Sequence, residues 1–217
     1  MFKEDEKIIV LDTETTNSID DPIAYDIGFA VIDLNGKVYE SHSYVVADVF
    51  LDKELMSSAY FADKIPQYRE DIKNGKRLLR RFRTIRFILS DVCKQYDIKK
   101  IVAHNARFDY TSCNLTQRFL TCSKYRYFLP YGTEIWDSLK MARATFGKDE
   151  DYKNFCKEND FCIGNRARLT AEILYRYITN DLDFEESHTG LEDVLIEKEI
   201  FVECLRRDEN LNGALWD

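Results

Sequence analysis

No apolar run in the 217-residue chain comes near the length of a membrane span, and the opening "MFKEDEKIIVLD" is charged before it turns apolar. Neither a membrane helix nor a signal peptide is expected. Repeats and low-complexity stretches are lacking too. Six cysteines (Cys93, Cys113, Cys122, Cys156, Cys162 and Cys204) show no close CxxC spacing. That pattern leaves disulfides or zinc open but favours buried, reduced thiols in a cytoplasmic protein. Nor is there an excess of basic charge. The formal net charge of −8 argues against nucleic-acid binding by bulk charge alone. Two bound divalent cations would halve it, so a polyanionic substrate is not excluded. With 45% hydrophobic and 13% aromatic residues and no boundary signal, residues 1–217 are expected to form one domain with a full-sized core.

What is present reads as an α/β order. Lys7–Thr13 is a strand apolar enough to be buried on both faces. "AYDIGFAVIDLNG" alternates and ends in Asn35-Gly36, a hairpin signal, and "KVYESHSYVV" is the return strand. Two antiparallel strands therefore follow the first. Residues 52–74 suggest short helices broken around Pro66. Between Lys76 and Tyr96, Leu78, Leu79, Phe82, Ile85, Ile88, Leu89 and Val92 fall at helical spacing. A strand at Ile101–Ala103 runs into a helix from about Ala106, and a second short strand turns at Asp137 into a helix that Gly147 ends. Asp149–Gly164 is polar and irregular, and helices near Leu169–Thr179 and Thr189–Arg207 close the chain. The expected class is α/β, a mixed sheet flanked by helices.

The chemistry-bearing residues sit at the ends of these elements. Asp12 and Glu14 lie two apart on the first strand, so both carboxylates project to one face and repel unless a cation lies between them. Asp109 falls in the first turns of the helix after Ala103. Thr189 and Glu192 match a capping box, which places Asp193 in the first turn of the last helix and His188 on the loop before it. Each has an ordinary reading: first-turn acids answer the helix dipole, and loop histidines are common. Together they are explained by two divalent cations, Mg²⁺ or Mn²⁺, held by Asp12, Glu14, Asp109 and Asp193. Such ions about 3.5–4 Å apart clamp the attacking and leaving oxygens of a phosphodiester displacement. His188, with an ordinary pKa of about 6.5, is suited to take the proton of the attacking water.

"DTETT" (Asp12–Thr16), "HNARFD" (His104–Asp109), "WDSLKMAR" and "HTGLED" (His188–Asp193) resemble the ordered motifs of the DEDDh, DnaQ-like 3′→5′ exonuclease family. The resemblance covers about residues 7–207. It implies an RNase H-like fold with a mixed five-stranded sheet, and metal-dependent removal of nucleoside 5′-monophosphates from 3′ ends of DNA or RNA. It further implies that Asp12, Glu14 and Asp193 hold the main ion, that Asp12 bridges to a second, and that Asp109 supports that second ion. His188 is then the general base. Thr15, Thr16, Asn105 and Phe108 match positions that contact the terminal nucleotide, although Phe108 fits a core ring equally well.

Three positions depart from the family pattern. Asn17 stands where glycine usually follows DTETT, Gly190 replaces a common alanine and is expected to loosen the first turn of the last helix, and Asp26 replaces a usual glutamate.

The expected partner is a nucleic acid with a free 3′ end, single-stranded, with a homodimer or a polymerase association also open; no membrane contact is expected. Lys73, Lys76, Arg77, Arg80, Arg81, Arg83 and Arg86 suggest a basic helix face that is either solvated or a phosphate track. Arg107, Arg166 and Arg168 are further candidates, and Leu215 and Trp216 either dock on a partner or pack back. A non-catalytic nucleic-acid-binding or polymerase-associated module is the alternative function, disfavoured because all four acids and the histidine are present. A cysteine hydrolase built on Cys113 and His104 lacks supporting spacing.

Overall fold

The computed structural model describes residues 2–3, 5–16, 21–122, 124 and 126–216. Its strands are β1 (Lys7–Thr16), β2 (Ile23–Asp33), β3 (Val38–Val46), β4 (Leu78–Arg80), β5 (Lys100–Ala103), β6 (Glu134–Asp137), β7 (Cys162–Ile163) and β8 (Arg166–Ala167). Its helices are α1 (Ala47–Phe50), α2 (Lys53–Met56), α3 (Ile65–Lys73), α4 (Phe82–Gln95), α5 (Arg107–Leu120), α6 (Ser138–Ala144), α7 (Glu150–Glu158), α8 (Ala171–Thr179) and α9 (Gly190–Arg207).

Six strands form the main sheet in the order β4-β3-β2-β1-β5-β6, and β7 and β8 make a separate ribbon. β1, β2 and β3 pair antiparallel; β4, β5 and β6 each join parallel. The mixed α/β class with antiparallel leading strands is as expected, with six strands in place of five. The additional one is β4. Leu78 and Leu79 share the helical spacing of the residues after them, but they pair with Tyr44 and Val45, and the helix starts only at Phe82. Two further differences have local causes. Pro66 stands in the first turn of α3, where its missing N–H costs nothing, so it opens a helix instead of breaking one. The polar stretch after Asp149 holds α7, capped by the Asp149 side chain and seated through buried Tyr152 and Cys156.

Period-two alternation along β1 divides the core. Ile9 and Leu11 face the layer that includes Ile85, Leu89 and Cys113 of α4 and α5; Ile8 and Val10 face the layer that includes Val194, Ile200 and Phe201 of α9. Asp12 and Glu14 continue the second series, so both carboxylates point toward α9. All six cysteines are free thiols, four of them buried. No helix among the described residues is long and apolar enough to cross a membrane.

Candidate active site

Each carboxylate is placed by a local device. β1 pairs with β5 only at Ile9 and Val10, which leaves the N–H of Thr13 without a strand partner on that edge. Asp109, in the first turn of α5, takes it: its Oδ1 accepts from the Thr13 backbone N–H at 3.0 Å and from the Thr13 hydroxyl at 2.9 Å. Glu14 lies opposite Asp26 on β2, and the register shifts immediately beyond, leaving Tyr25 as an extra residue on β2. Bulges of this kind re-aim neighbouring side chains. Asp193 is anchored by the Thr189 backbone N–H, which donates to its Oδ2 at 2.8 Å.

These residues converge. One ligand atom each of Glu14, His188 and Asp193 lie within 4.8 Å of one another. Asp12 Oδ2 is buried and accepts no hydrogen bond. Burial, then Asp193 beside it, lifts Glu14 to about 9. Burial, then Glu186, lifts Asp193 to about 8, and burial lifts Asp109 to about 7 against its bonds from Thr13. Asp12 is raised well above the carboxylate range by burial and next by Glu197. The charges that weigh most on Asp12 and Glu14 are other carboxylates. An orphaned carboxylate oxygen and a set of oxygen donors with one imidazole fit a hard divalent cation.

His188 has a backbone φ of 50°, in the left-handed region, and its imidazole lies flat on Phe61 with centroids 4.2 Å apart. Nδ1 faces the Glu186 carboxylate at 3.9 Å. Burial holds its pKa below 6.5, so the ring is neutral at pH 7. Asn105 is exposed, at φ 66°, and its N–H donates to Asp137 Oδ1 at 2.9 Å. Phe108 is half-buried and belongs to neither core layer. Thr15 and Thr16 are buried in β1, where the Thr16 hydroxyl reaches Ile23 O.

No family model and no curated protein matches the chain. Among solved structures it is similar to S. pombe Pop2p in its Mg²⁺- and Mn²⁺-bound form, with a TM-score of 0.55, 13% identity and coverage of 94% of this chain and 84% of that one. It is similar to exonuclease I of Methylocaldum szegediense, with a TM-score of 0.58, 15% identity and 94% of this chain against 41% of that one. The zinc-bound form of the E. coli exonuclease I–ssDNA complex gives 0.59, 15%, and 95% against 42%. The fold is the RNase H-like fold. The chain spans about two-fifths of the length of the two exonuclease I chains.

Within this fold the departures at Gly190 and Asp26 belong together. A Cβ on Gly190 would lie 2.8 Å from Gly28 N, and one on Gly28 would lie 2.2 Å from the Gly190 carbonyl carbon. The glycine therefore seats α9 on β2 by backbone contact and does not loosen it. Asp26 Oδ2 then accepts from the Gly190 N–H at 3.0 Å and from the Tyr68 hydroxyl at 2.6 Å. Asn17 lies outside the described residues. Thr189 is the helix cap as expected, but the reciprocal capping box is replaced. Its hydroxyl bonds Glu192 at 2.9 Å, and its N–H goes to Asp193.

Arg77 is the main correction to the basic-helix reading. It precedes β4, is 1% exposed, and pairs with Glu192 at 2.7 Å, Asp71 at 3.0 Å and Asp26 at 3.4 Å. It braces the start of α9 and is unavailable to phosphate. Lys76 adds a bond to Glu192 at 2.9 Å. His104 is likewise structural, bonded to Ser138 and to Leu169 O, and the Cys113 thiol is pushed up by burial and by Asp109, the opposite of an activated nucleophile.

Sequence reasoning passed over two acids and a ring. Glu197, buried one helical turn beyond Asp193, accepts from the His104 N–H at 3.1 Å and is the charge that raises Asp12 most. Its i+4 spacing from Asp193 was a readable signal. Glu186 stands two residues before His188 with no pattern that marks it, and Phe61 is carried to His188 only by the fold.

Proposed function

We propose that the protein is a divalent-metal-dependent 3′→5′ exonuclease acting on single-stranded nucleic acid. The observation that carries this reading is the convergence of Glu14, Asp193 and His188 within 4.8 Å beside the unpartnered Asp12 Oδ2, with no protein cation among the strongest influences on Asp12 or Glu14.

Asp12, Glu14 and Asp193 would hold the principal Mg²⁺ or Mn²⁺, with Asp109 supporting a second. Bound there, such ions supply Lewis-acid stabilisation of the charge that builds on the phosphoryl and leaving oxygens. His188, neutral and turned inward, accepts the proton of the attacking water. The stack on Phe61 sets the imidazole's plane, with the Glu186 carboxylate 3.9 Å from Nδ1. The new bond joins water oxygen to phosphorus, the P–O3′ bond breaks, and a nucleoside 5′-monophosphate leaves. Asn105, which is exposed, and Phe108, which is half-buried, would contact the terminal sugar and base.

The test is digestion of 5′-labelled single-stranded DNA and RNA of one sequence with Mg²⁺ or Mn²⁺, beside Asp12→Ala and EDTA controls. A ladder shortening from the 3′ end that is lost in both controls is expected, and the faster substrate names the sugar preference. Intact substrate in every lane, with binding retained, would replace this reading with that of a non-catalytic module.

A further inference from the structure

On the α4–α5 side of the sheet, opposite the face on which Asp12 and Glu14 lie, two surface cavities of about 580 and about 490 Å³ share Arg86 as a common wall. Arg81 and Arg83 line the first; Lys124 and Arg126 line the second. The chain as a whole has 39 acidic and 31 basic residues, yet among the described residues the only carboxylate in either lining is Asp48. That carboxylate is already engaged, accepting the Phe82 N–H at 2.8 Å. Sorting of charge against the chain's own balance marks a surface that meets polyanion.

Aromatic rings are interleaved with these cations. Phe87 and Tyr127 are exposed, Tyr131 is fully exposed, and the Arg83 guanidinium lies over the Phe87 ring at 5.4 Å. Exposed rings beside cations are what single-stranded nucleic acid uses, because every base has a stacking face and every linkage a charge. Duplex DNA keeps its bases stacked inside and would leave the rings unused.

α5 ties the two places together. Its first turn carries Asp109 to the carboxylates and Tyr110 to the second cavity, and its last turn carries Gln117 and Leu120 to the first. At 1.5 Å per residue, Asp109 to Leu120 spans about 16 Å, a few nucleotides of extended strand.

We propose that these joined cavities form a single-stranded nucleic-acid track holding the strand upstream of its 3′ end. The inference rests on the exonuclease reading for the direction of the strand, and on the groove alone for binding. Arg83 and Arg126 are the informative positions, since both are exposed. Arg86 donates to Tyr127 O at 3.1 Å and holds the groove's own wall, so replacing it would confound binding with structure.

The experiment uses the full chain in EDTA, which blocks hydrolysis, and follows fluorescence anisotropy of 5′-labelled 16-nucleotide and 4-nucleotide single strands over a salt series. For the Arg83→Glu/Arg126→Glu variant, thermal melting should stay as in the wild type. Affinity for the 16-mer should fall at least about tenfold, and the salt slope should drop by about 1.4, at about 0.7 per lost phosphate contact. Affinity for the 4-mer should not change. Tyr131→Ala should weaken the 16-mer by about fivefold or more without altering the slope, as loss of one stacking ring requires. An unchanged 16-mer affinity and slope in the folded double variant would overturn the proposal, as would polyglutamate competing as well as the oligonucleotide. The two readings separate cleanly. Groove-dependent binding without hydrolysis in Mg²⁺ leaves the track standing and removes the exonuclease; Mg²⁺-dependent hydrolysis with insensitive binding does the reverse.

Discussion

The ring of Phe61 lies 4.2 Å from the imidazole of His188 and within 10° of parallel to it. The histidine stands on a loop with a left-handed backbone, and this stack, with Glu186 beyond, keeps its side chain among the carboxylates. Loss of the ring frees the imidazole to rotate toward solvent. Phe61→Ala is therefore expected to lower kcat about tenfold, a fraction of what a general base supplies, with KM within about twofold. Phe61→Tyr should retain most activity. Steady-state kinetics on a short oligonucleotide checks this, and equal activity of Phe61→Ala and wild type would show that the stack is idle.

Metal removal has a pH signature. Glu14, Asp109 and Asp193 have folded-state values of about 9, 7 and 8, all above the ordinary carboxylate values they regain on unfolding. Between about pH 4 and pH 9 the folded state then binds more protons than the unfolded one, so stability falls as pH rises through that window. In EDTA the melting temperature should decline from pH 5 to pH 9. Mn²⁺ at about a hundredfold excess over Kd should add about 2.7 kcal/mol. Its effect should be smaller at pH 5, where protons compete for the same oxygens. A metal-free melting curve flat over this range would contradict the burial assigned to these acids.

The glycine pair between β2 and α9 makes a prediction against the motif pattern that the sequence resembles. Alanine is common in that pattern where Gly190 stands, yet here its methyl would press on the backbone of β2 at 2.8 Å. Gly190→Ala should cost about 1–3 kcal/mol by overpacking and shift His188 and Asp193 together. Differential scanning calorimetry with a parallel activity assay tests it; a neutral substitution would mean that the helix start moves freely.

Much of this was legible before the fold was known, and the limits are instructive. The strand from Lys7, the Asn35-Gly36 hairpin and the cap at Thr189 could be read because apolar period, turn chemistry and capping are local. β4 could not, since two leucines within three residues satisfy a helical period and a strand equally. Arg77 carried no sign that it is buried: its partners Asp26 and Glu192 come from segments 51 residues before it and 115 residues after it. Glu197 was readable from its spacing and overlooked. Phe61 was not readable, because only the fold carries it to His188.

The buried Arg77 network should behave as a brace. Arg77→Met leaves Asp26 buried without its cation and should cost about 3–5 kcal/mol, and pairing it with Asp26→Asn should recover part of that loss. Urea unfolding of the two single variants and the double variant gives the coupling. Strict additivity would show that Arg77 and Asp26 do not act together.

The identity of the first product decides whether the acid cluster is a nuclease centre. A single-stranded oligonucleotide labelled on its 3′-terminal nucleotide is mixed with excess protein and Mg²⁺, and the earliest product is identified by mass spectrometry. A labelled nucleoside 5′-monophosphate released in the first turnover, and absent with EDTA or with Asp193→Asn, is the predicted result. Label retained in longer fragments, or released equally by Asp193→Asn, would contradict it.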